Sequence, residues 1–277
     1  MKLDHHNIKE GGRFTVTSFQ CGTSLQLLQE KGLYKIIWCT EGEERLIIDG
    51  YEVVLKNNQV LFCIPENRIV FPEHTNTLIA FIFNREFYCI QHNDAEVSCM
   101  GLLFYGSSTA PVIELNEKDQ RSFNAMLVLF QEELATKDHI QGEMLRTLLK
   151  RMLITSTRLI KLQTNQANLS VKQVELIRKF NILVEQYFKE KHQVVDYADL
   201  LFKSPKTLSN FFKKHSANSP LKIINERIAA EAKRLLLYSD KSVEEISYEL
   251  GYNEPSHFSK FFKTQVGVSP MLFRKQE

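Results

Sequence analysis

Lys206, Ser209, Asn210 and Lys213 fall on one side of a helical wheel, and Leu208, Phe211, Phe212 and His215 fall on the other. The arrangement returns downstream, where Ser256, Ser259, Lys260 and Lys263 face away from Phe258, Phe261 and Phe262. A face of this kind suits a nucleic-acid groove: hydroxyl and amide groups exchange hydrogen bonds with base edges, and lysines reach phosphates. The aromatic side anchors each helix to its own domain.

The two faces sit in a segment written twice. Residues 210–221 read NFFKKHSANSPL and residues 260–271 read KFFKTQVGVSPM, with Pro205/Pro255 and Ser209/Ser259 on the same offset of fifty. Two copies at one end of a long chain indicate a paired module, not a solenoid. In the first copy Ser204-Pro205 is a helix start, with a capping serine and a proline in the first turn. It follows a short helix over 195–201 and a turn at Phe202-Lys203. In the second, Ser242-x-x-Glu245 is a capping box opening a helix over 243–250, Gly251 supplies the turn and Pro255 starts the next helix. Both have helix-turn-helix length and punctuation, at about 195–215 and 243–264.

Between them, 221–238 places Leu221, Ile224, Ile228, Ala232, Leu235 and Leu236 on one stripe. A helix of that length spans roughly 25 Å. It suits holding two recognition helices about 34 Å apart, one turn of B-DNA. Arg227, Lys233 and Arg234 on this helix are candidates for phosphate contacts. Residues 171–190 form a further helix, with Val174, Ile177, Leu183, Val184 and Tyr187 available for a core.

The first hundred residues read differently. Short β-rich runs at 14–19, 33–39, 45–50, 51–55, 59–64, 68–71 and 78–83 are broken by Glu41-Gly42, Asp49-Gly50, Asn57-Asn58 and Pro65-Glu66-Asn67. Many short strands with close turns predict a small barrel or a double-sheet jelly roll. After a loop at 105–111, apolar residues shift to helical spacing. Phe123, Met126, Leu127, Phe130 and Leu134 form one stripe, opened by Asn116 as a cap, and Met144, Leu145, Leu148, Met152, Leu159 and Leu162 form another. Packing on the β-domain accounts for these stripes; pairing of the second helix with its copy in another subunit is the alternative. The polar run 164–170 is the linker candidate. The boundaries read 1–115 for a β-rich regulatory domain, 116–164 for a helical dimerisation or packing region, 165–170 for the linker and 171–277 for the paired module. The fold class is α+β with two domains.

Composition narrows the chemistry. The 277 residues carry a net charge of +2, but 1–168 hold 17 Lys+Arg against 20 Asp+Glu while 169–277 hold 18 against 13, so the basic excess travels with the repeat. Cys21, Cys39, Cys63, Cys89 and Cys99 are odd in number and lack the spacing of a zinc or redox site, and read as buried thiols. With no run fit for a signal peptide or a membrane span, the expectation is a cytoplasmic chain with no membrane partner.

Residues 242–275, SVEEISYELGYNEPSHFSKFFKTQVGVSPMLFRK, resemble the C-terminal signature of AraC/XylS-type transcription regulators, and the fuller match runs from about 195 to 275. It includes a one-residue difference between the turns, Ala198 to Leu208 being ten and Ser247 to Phe258 eleven. The resemblance implies a double helix-turn-helix domain on double-stranded promoter DNA, with base reading at Lys206, Ser209, Asn210, Ser256, Ser259 and Lys260. Phosphate contacts are expected from Lys213, Arg227 and Lys263. It also implies an N-terminal cupin-like domain that senses a small-molecule effector, forms a homodimer, or both, with RNA polymerase as a further partner.

Two departures stand out. Leu201 takes a place where the first turn often has glycine, and Asn210 and Lys260 stand where arginine is common, removing the bidentate reading of guanine. The run EGEERLIIDGYEVVLKNNQVLFCIPENRIVF is similar to the cupin pattern, but the His-x-His cluster of metal-binding cupins is missing and Glu66-Asn67-Arg68-Ile69 follow the Pro-turn. No metal, cofactor or catalytic residue is therefore expected, and His74 and His92 stand as lone histidines. A cupin-type enzyme with a DNA-binding tail and a non-specific nucleic-acid binder are the rival readings.

Overall fold

Turn chemistry shapes the N-terminal half as the sequence leads one to expect. The computed structural model describes residues 2–7, 11–18, 26–27, 30, 32–70, 77–90, 93–97, 99, 101–104, 110–163, 171–216 and 218–275. Cys21, His74, His92, the loop 105–109 and the linker candidate 164–170 lie outside them. The chain divides into two units, one of residues 1–104 with 110–167 and one of 105–109 with 168–277.

In the first unit the strands are β1 (Lys2–Asn7), β2 (Gly12–Ser18), β3 (Leu33–Cys39), β4 (Glu43–Ile48), β5 (Tyr51–Lys56), β6 (Gln59–Cys63), β7 (Ile69–Val70), β8 (Leu78–Asn84) and β9 (Val112–Glu114). They form a six-stranded sheet in the order β1-β2-β8-β3-β6-β9 and a three-stranded sheet in the order β5-β4-β7. Among the described residues the two sheets do not join into a closed barrel, so of the two expected architectures the double sheet is the one adopted. The β4–β5 hairpin turns on Asp49 and Gly50, at φ 50° and 78°, between the paired residues Ile48 and Tyr51. Two successive left-handed residues give a hairpin turn whose twist matches the strands. The buried Asp49 carboxylate also accepts from Asn67 Nδ2 at 2.6 Å and Arg68 N at 2.9 Å, tying the Pro65–Asn67 turn to the hairpin.

One face of the large sheet closes on the small one around Ile37, Leu46, Leu55, Leu61 and Ala80. Its other face takes helix α2 (Glu117–Ala135), which follows the short α1 (Asp94–Val97). The rings of Phe14 and Phe130 lie 5.2 Å apart and those of Trp38 and Phe123 5.8 Å apart. Asn116 caps α2 by accepting from Lys118 N and Asp119 N. Helix α3 (Gln141–Gln163) lies beside α2 and β9, where Gln163 exchanges two hydrogen bonds with the Glu114 backbone. Its buried residues include Leu145, Leu149, Met152, Leu153 and Ile160, a broader stripe than the periodicity indicated, while Met144 and Leu162 are exposed.

Three features were not legible beforehand. β1 is polar, KLDHHN, and is held by antiparallel pairing with β2. A strand recruited to a sheet edge needs no apolar period of its own. β9 is too short to signal. Lys35, in the middle of an apolar run, is fully buried with Nζ donating to the carbonyls of Leu33 at 3.1 Å and Glu30 at 3.3 Å, and burial lowers its pKa. Cys39, Cys63 and Cys99 are buried thiols, and burial pushes Cys63 well above the usual thiol range.

The second unit is helical: α4 (Val171–Tyr187), α5 (Val194–Leu200), α6 (Pro205–His215), α7 (Pro220–Tyr238), α8 (Val243–Glu249), α9 (Pro255–Val266) and α10 (Pro270–Arg274). One core runs through it, from Ile177 and Phe180 through Tyr197, Phe212 and Ile228 to Phe262. Among the described residues no helix is long and apolar enough to cross a membrane.

Candidate nucleic-acid interface

Each exposed polar face is presented by a helix pinned from behind. In α6, Leu208 and Phe212 are fully buried, and Phe212 meets Phe180 of α4 at 4.7 Å between ring centroids. That fixes the helix's rotation and turns Lys206, Ser209, Asn210 and Lys213 outward, where all four are exposed. Ser204 caps the helix by accepting from Thr207 N at 3.1 Å, with Pro205 in the first turn. In α9, Phe258 and Phe262 are buried and Ser256, Lys260 and Lys263 are exposed. Ser259 is only half-exposed, less open than Ser209. Pro255 again opens the helix, and Gly267 closes it in the left-handed conformation.

The preceding helices match as well. Ala198 of α5 and Ser247 of α8 are both fully buried, and their carbonyls accept from Lys203 N at 2.9 Å and Tyr252 N at 3.0 Å in the turns that follow. The expected capping box of α8 is present, with Glu245 N donating to Ser242 Oγ at 3.1 Å and Ser242 N to Glu245 Oε2 at 2.7 Å. Leu201 and Leu250 are the two C-caps, and the next residues, Phe202 and Gly251, take φ 54° and 77°. The departure in the first turn therefore lies at Phe202 and not at Leu201: the left-handed residue comes after the C-cap, and Leu201 keeps φ −95°.

Phe202 is 93% exposed, so its ring gains nothing from burial while its backbone carries a left-handed conformation that costs about 1–2 kcal/mol for a residue with a Cβ. Phe202→Gly is expected to stabilise the second unit by about 0.5–1 kcal/mol, the relief of strain being partly offset by the greater unfolded-state freedom of glycine. A thermal midpoint that stays put or falls would show that the ring makes up for the strain.

The central helix departs from expectation. Ser219 caps α7 and Ile224, Ile228, Ala232, Leu235 and Leu236 are buried, but Leu221 is 47% exposed. Arg227 does not face a groove. It is buried, with Nε and Nη2 donating to Glu185 at 2.7 and 2.9 Å and Nη1 to Glu231 at 3.3 Å. A guanidinium engaged on both edges inside the fold is not placed to neutralise a phosphate. Burial alone would lower its pKa, but the two carboxylates outweigh that and hold it charged. Lys233 is likewise buried, 5.5 Å from the Phe273 ring centroid, with burial lowering its pKa to about 8. Arg234 is engaged with Glu231. The basic groups left on the surface around the two faces are Lys203, Lys206, Lys213, Lys214, Lys260 and Lys263. Among the described residues no cluster of three or more His, Cys, Asp or Glu side chains could hold a metal ion.

Residues 197–276 match a family model described as a helix-turn-helix domain. The raffinose operon transcriptional regulatory protein RafR of Pediococcus pentosaceus is 34% identical over 112 residues, 39% of each chain. The HTH-type transcriptional activator RhaS of Enterobacter sp. strain 638 is 30% identical over 92 residues, 33% of each chain. The match thus spans between a third and two fifths of these curated relatives. Among solved structures, the C-terminal domain of AraT, a response regulator from Geobacillus stearothermophilus, is similar at 26% identity and a TM-score of 0.36, over 40% of this chain and 89% of that one.

Proposed function

We propose that this chain, whose residues 197–276 match a helix-turn-helix domain, is a sequence-specific DNA-binding regulator of transcription of the AraC/XylS type. The observation that carries the reading is the pair of proline-started helices, α6 and α9, each pinned by two buried residues in the same frame and each turning short polar groups and lysines outward. Lys206, Ser209 and Asn210 on α6, and Ser256, Ser259 and Lys260 on α9, read base edges; Lys213 and Lys263 take phosphates. The phosphate set omits Arg227, which is engaged internally.

The scaffold is shared and the exposed residues differ, so the two helices read different bases. The first unit, a double sheet backed by α2 and α3, supplies effector binding or dimerisation, and the protein works in the cytoplasm, where promoter DNA and RNA polymerase are met.

Competition binding tests the reading. The chain's own upstream region should displace the protein far better than an unrelated duplex of equal length; equal displacement would reduce it to a non-specific binder. Lys260→Ala sharpens the test. It should weaken binding to the specific site by about 1–3 kcal/mol and leave non-specific binding nearly unchanged. An equal loss on both would move Lys260 to the phosphate-contacting set.

A further inference from the structure

A seam of charged side chains, joined through one aromatic ring, links the two helix-turn-helix units. It starts at Glu185 near the end of α4, passes through Arg227 to Glu231 on α7, and takes in Arg234. The Arg227 guanidinium also lies 3.9 Å over the ring of Phe188, the first residue after α4. The next residue, Lys189, donates Nζ to Glu249 Oε1 at 2.8 Å, at the last turn of α8, and the other carboxylate oxygen of Glu249 accepts from Lys241.

The loop from Phe188 to Gln193 is thereby seated on the second turn. The Lys189 carbonyl comes against Gly251 so closely that a Cβ there would overlap its oxygen. His192 lies against Tyr252, ring centroids 4.7 Å apart and inclined by 38°, and Tyr197 of α5 donates its hydroxyl to the carbonyl of Lys191 at 2.8 Å. The loop that leads into the first helix-turn-helix thus rests on the turn of the second. By chain connection the two units are joined only through α7; the contacts of the 188–193 loop with Glu249, Gly251 and Tyr252 are a second link that closes the ring.

We infer that this seam is a clamp that sets the separation and angle between α6 and α9, making Lys189, His192, Glu249 and Tyr252 positioning residues for reading two DNA boxes as one site. Two rigid reading heads engage a site together only when the spacing of its boxes matches the spacing of the helices. With α7 alone holding them, they would tolerate a wider range of spacings. The DNA part of the inference rests on the regulator reading above; the geometric part does not.

The test uses the full chain with Lys189→Gln, with Glu249→Gln, and with the conservative Lys189→Arg. Genetically encoded spin labels at Lys214 and Gln265, exposed residues near the ends of α6 and α9, report the distance between the two helices by pulsed electron resonance. The unaltered chain should give one narrow distance distribution; both glutamine variants should broaden it, and Lys189→Arg should restore it. On DNA, a one-base-pair insertion between the boxes should weaken binding to the unaltered chain, and that penalty should shrink by about fivefold or more in the glutamine variants, in the range of couplings between residues of one network. Affinity for a site with a single intact box should stay within about twofold in the same comparison.

A distribution as narrow in the glutamine variants as in the unaltered chain overturns the clamp. Broadening with an unchanged insertion penalty, or single-box affinity falling in step with two-box affinity, overturns its role in reading. Should the unaltered chain show no insertion penalty at all, the two-box reading fails, while the distance measurement still decides the clamp.

Discussion

Gly251→Ala is expected to unfold the second helix-turn-helix, at a loss of about 2–5 kcal/mol, the sum of a left-handed residue acquiring a Cβ and of overpacking against a neighbour. The position has φ 77°, and the added methyl would overlap the carbonyl oxygen of Lys189 and sit 3.4 Å from His192 Nε2. Backbone cannot yield as a flexible side chain does, so the loop or the turn must move. Phe202 is the internal comparison, because it holds nearly the same φ in the first turn with its side chain in open solvent. The difference between a tolerated and a disruptive Cβ is therefore the neighbour, not the backbone angle.

The chain carries its own control for the measurement. Its one tryptophan, Trp38, is buried in the first unit. Helical circular dichroism should shift to lower denaturant in Gly251→Ala while the Trp38 fluorescence transition stays in place. A dichroism transition unchanged from that of the unaltered chain would refute the close approach of Lys189 and Gly251.

Arg227→Met is expected to cost about 3–5 kcal/mol, because it takes the guanidinium from Glu185 and leaves the buried Glu231 with Arg234 alone. Side-chain exposures of 10%, 14% and 5% for Arg227, Glu185 and Glu231 put the group well inside the fold. A phosphate contact would give the opposite pattern, with stability intact and the salt dependence of DNA binding reduced by about one counterion. Chemical denaturation beside a salt titration on DNA separates the two.

The pH dependence has a definite sign. Burial pushes the Glu231 carboxyl up, but the hydrogen bond from Arg234 and the charges of Arg227 and Arg234 outweigh it and hold its pKa below the ordinary carboxylate value. A depressed folded pKa contributes stability that is present above the unfolded value and lost as pH falls through the folded one. The unaltered chain should lose this contribution below about pH 4.5. In Arg227→Met, where Glu231 keeps only Arg234, the acid loss should be smaller.

Both the fold and the candidate interface were partly legible in the residues. Seven of the strands follow from β-rich runs between turn residues, and Asp49-Gly50 forms its hairpin as composition implies. β1 escaped because edge pairing holds it, and the width of the α3 stripe escaped because the helix is covered on more than one side. In the second unit the helical wheel separated the buried Leu208, Phe212, Phe258 and Phe262 from the exposed Lys206, Asn210 and Lys260. It misplaced Arg227, since a basic residue beside an apolar stripe looks the same whether solvent or a carboxylate stands opposite.

What the amino-acid sequence determined by itself is everything that repeats or is local: the doubled frame, the serine and proline helix starts, the hairpin turns and the apolar residues that anchor α6 and α9. These depend on periods of two and 3.6 residues and on φ preferences, which act between near neighbours. Tertiary structure alone decided where charged groups find their places, namely Arg227 buried on Glu185 42 residues away, the half-exposed Lys189 on Glu249 60 residues away, and Lys35 in the β core. A buried charge is tolerated only where the fold supplies its partners, and no local period encodes the meeting of Arg227 with a carboxylate 42 residues away.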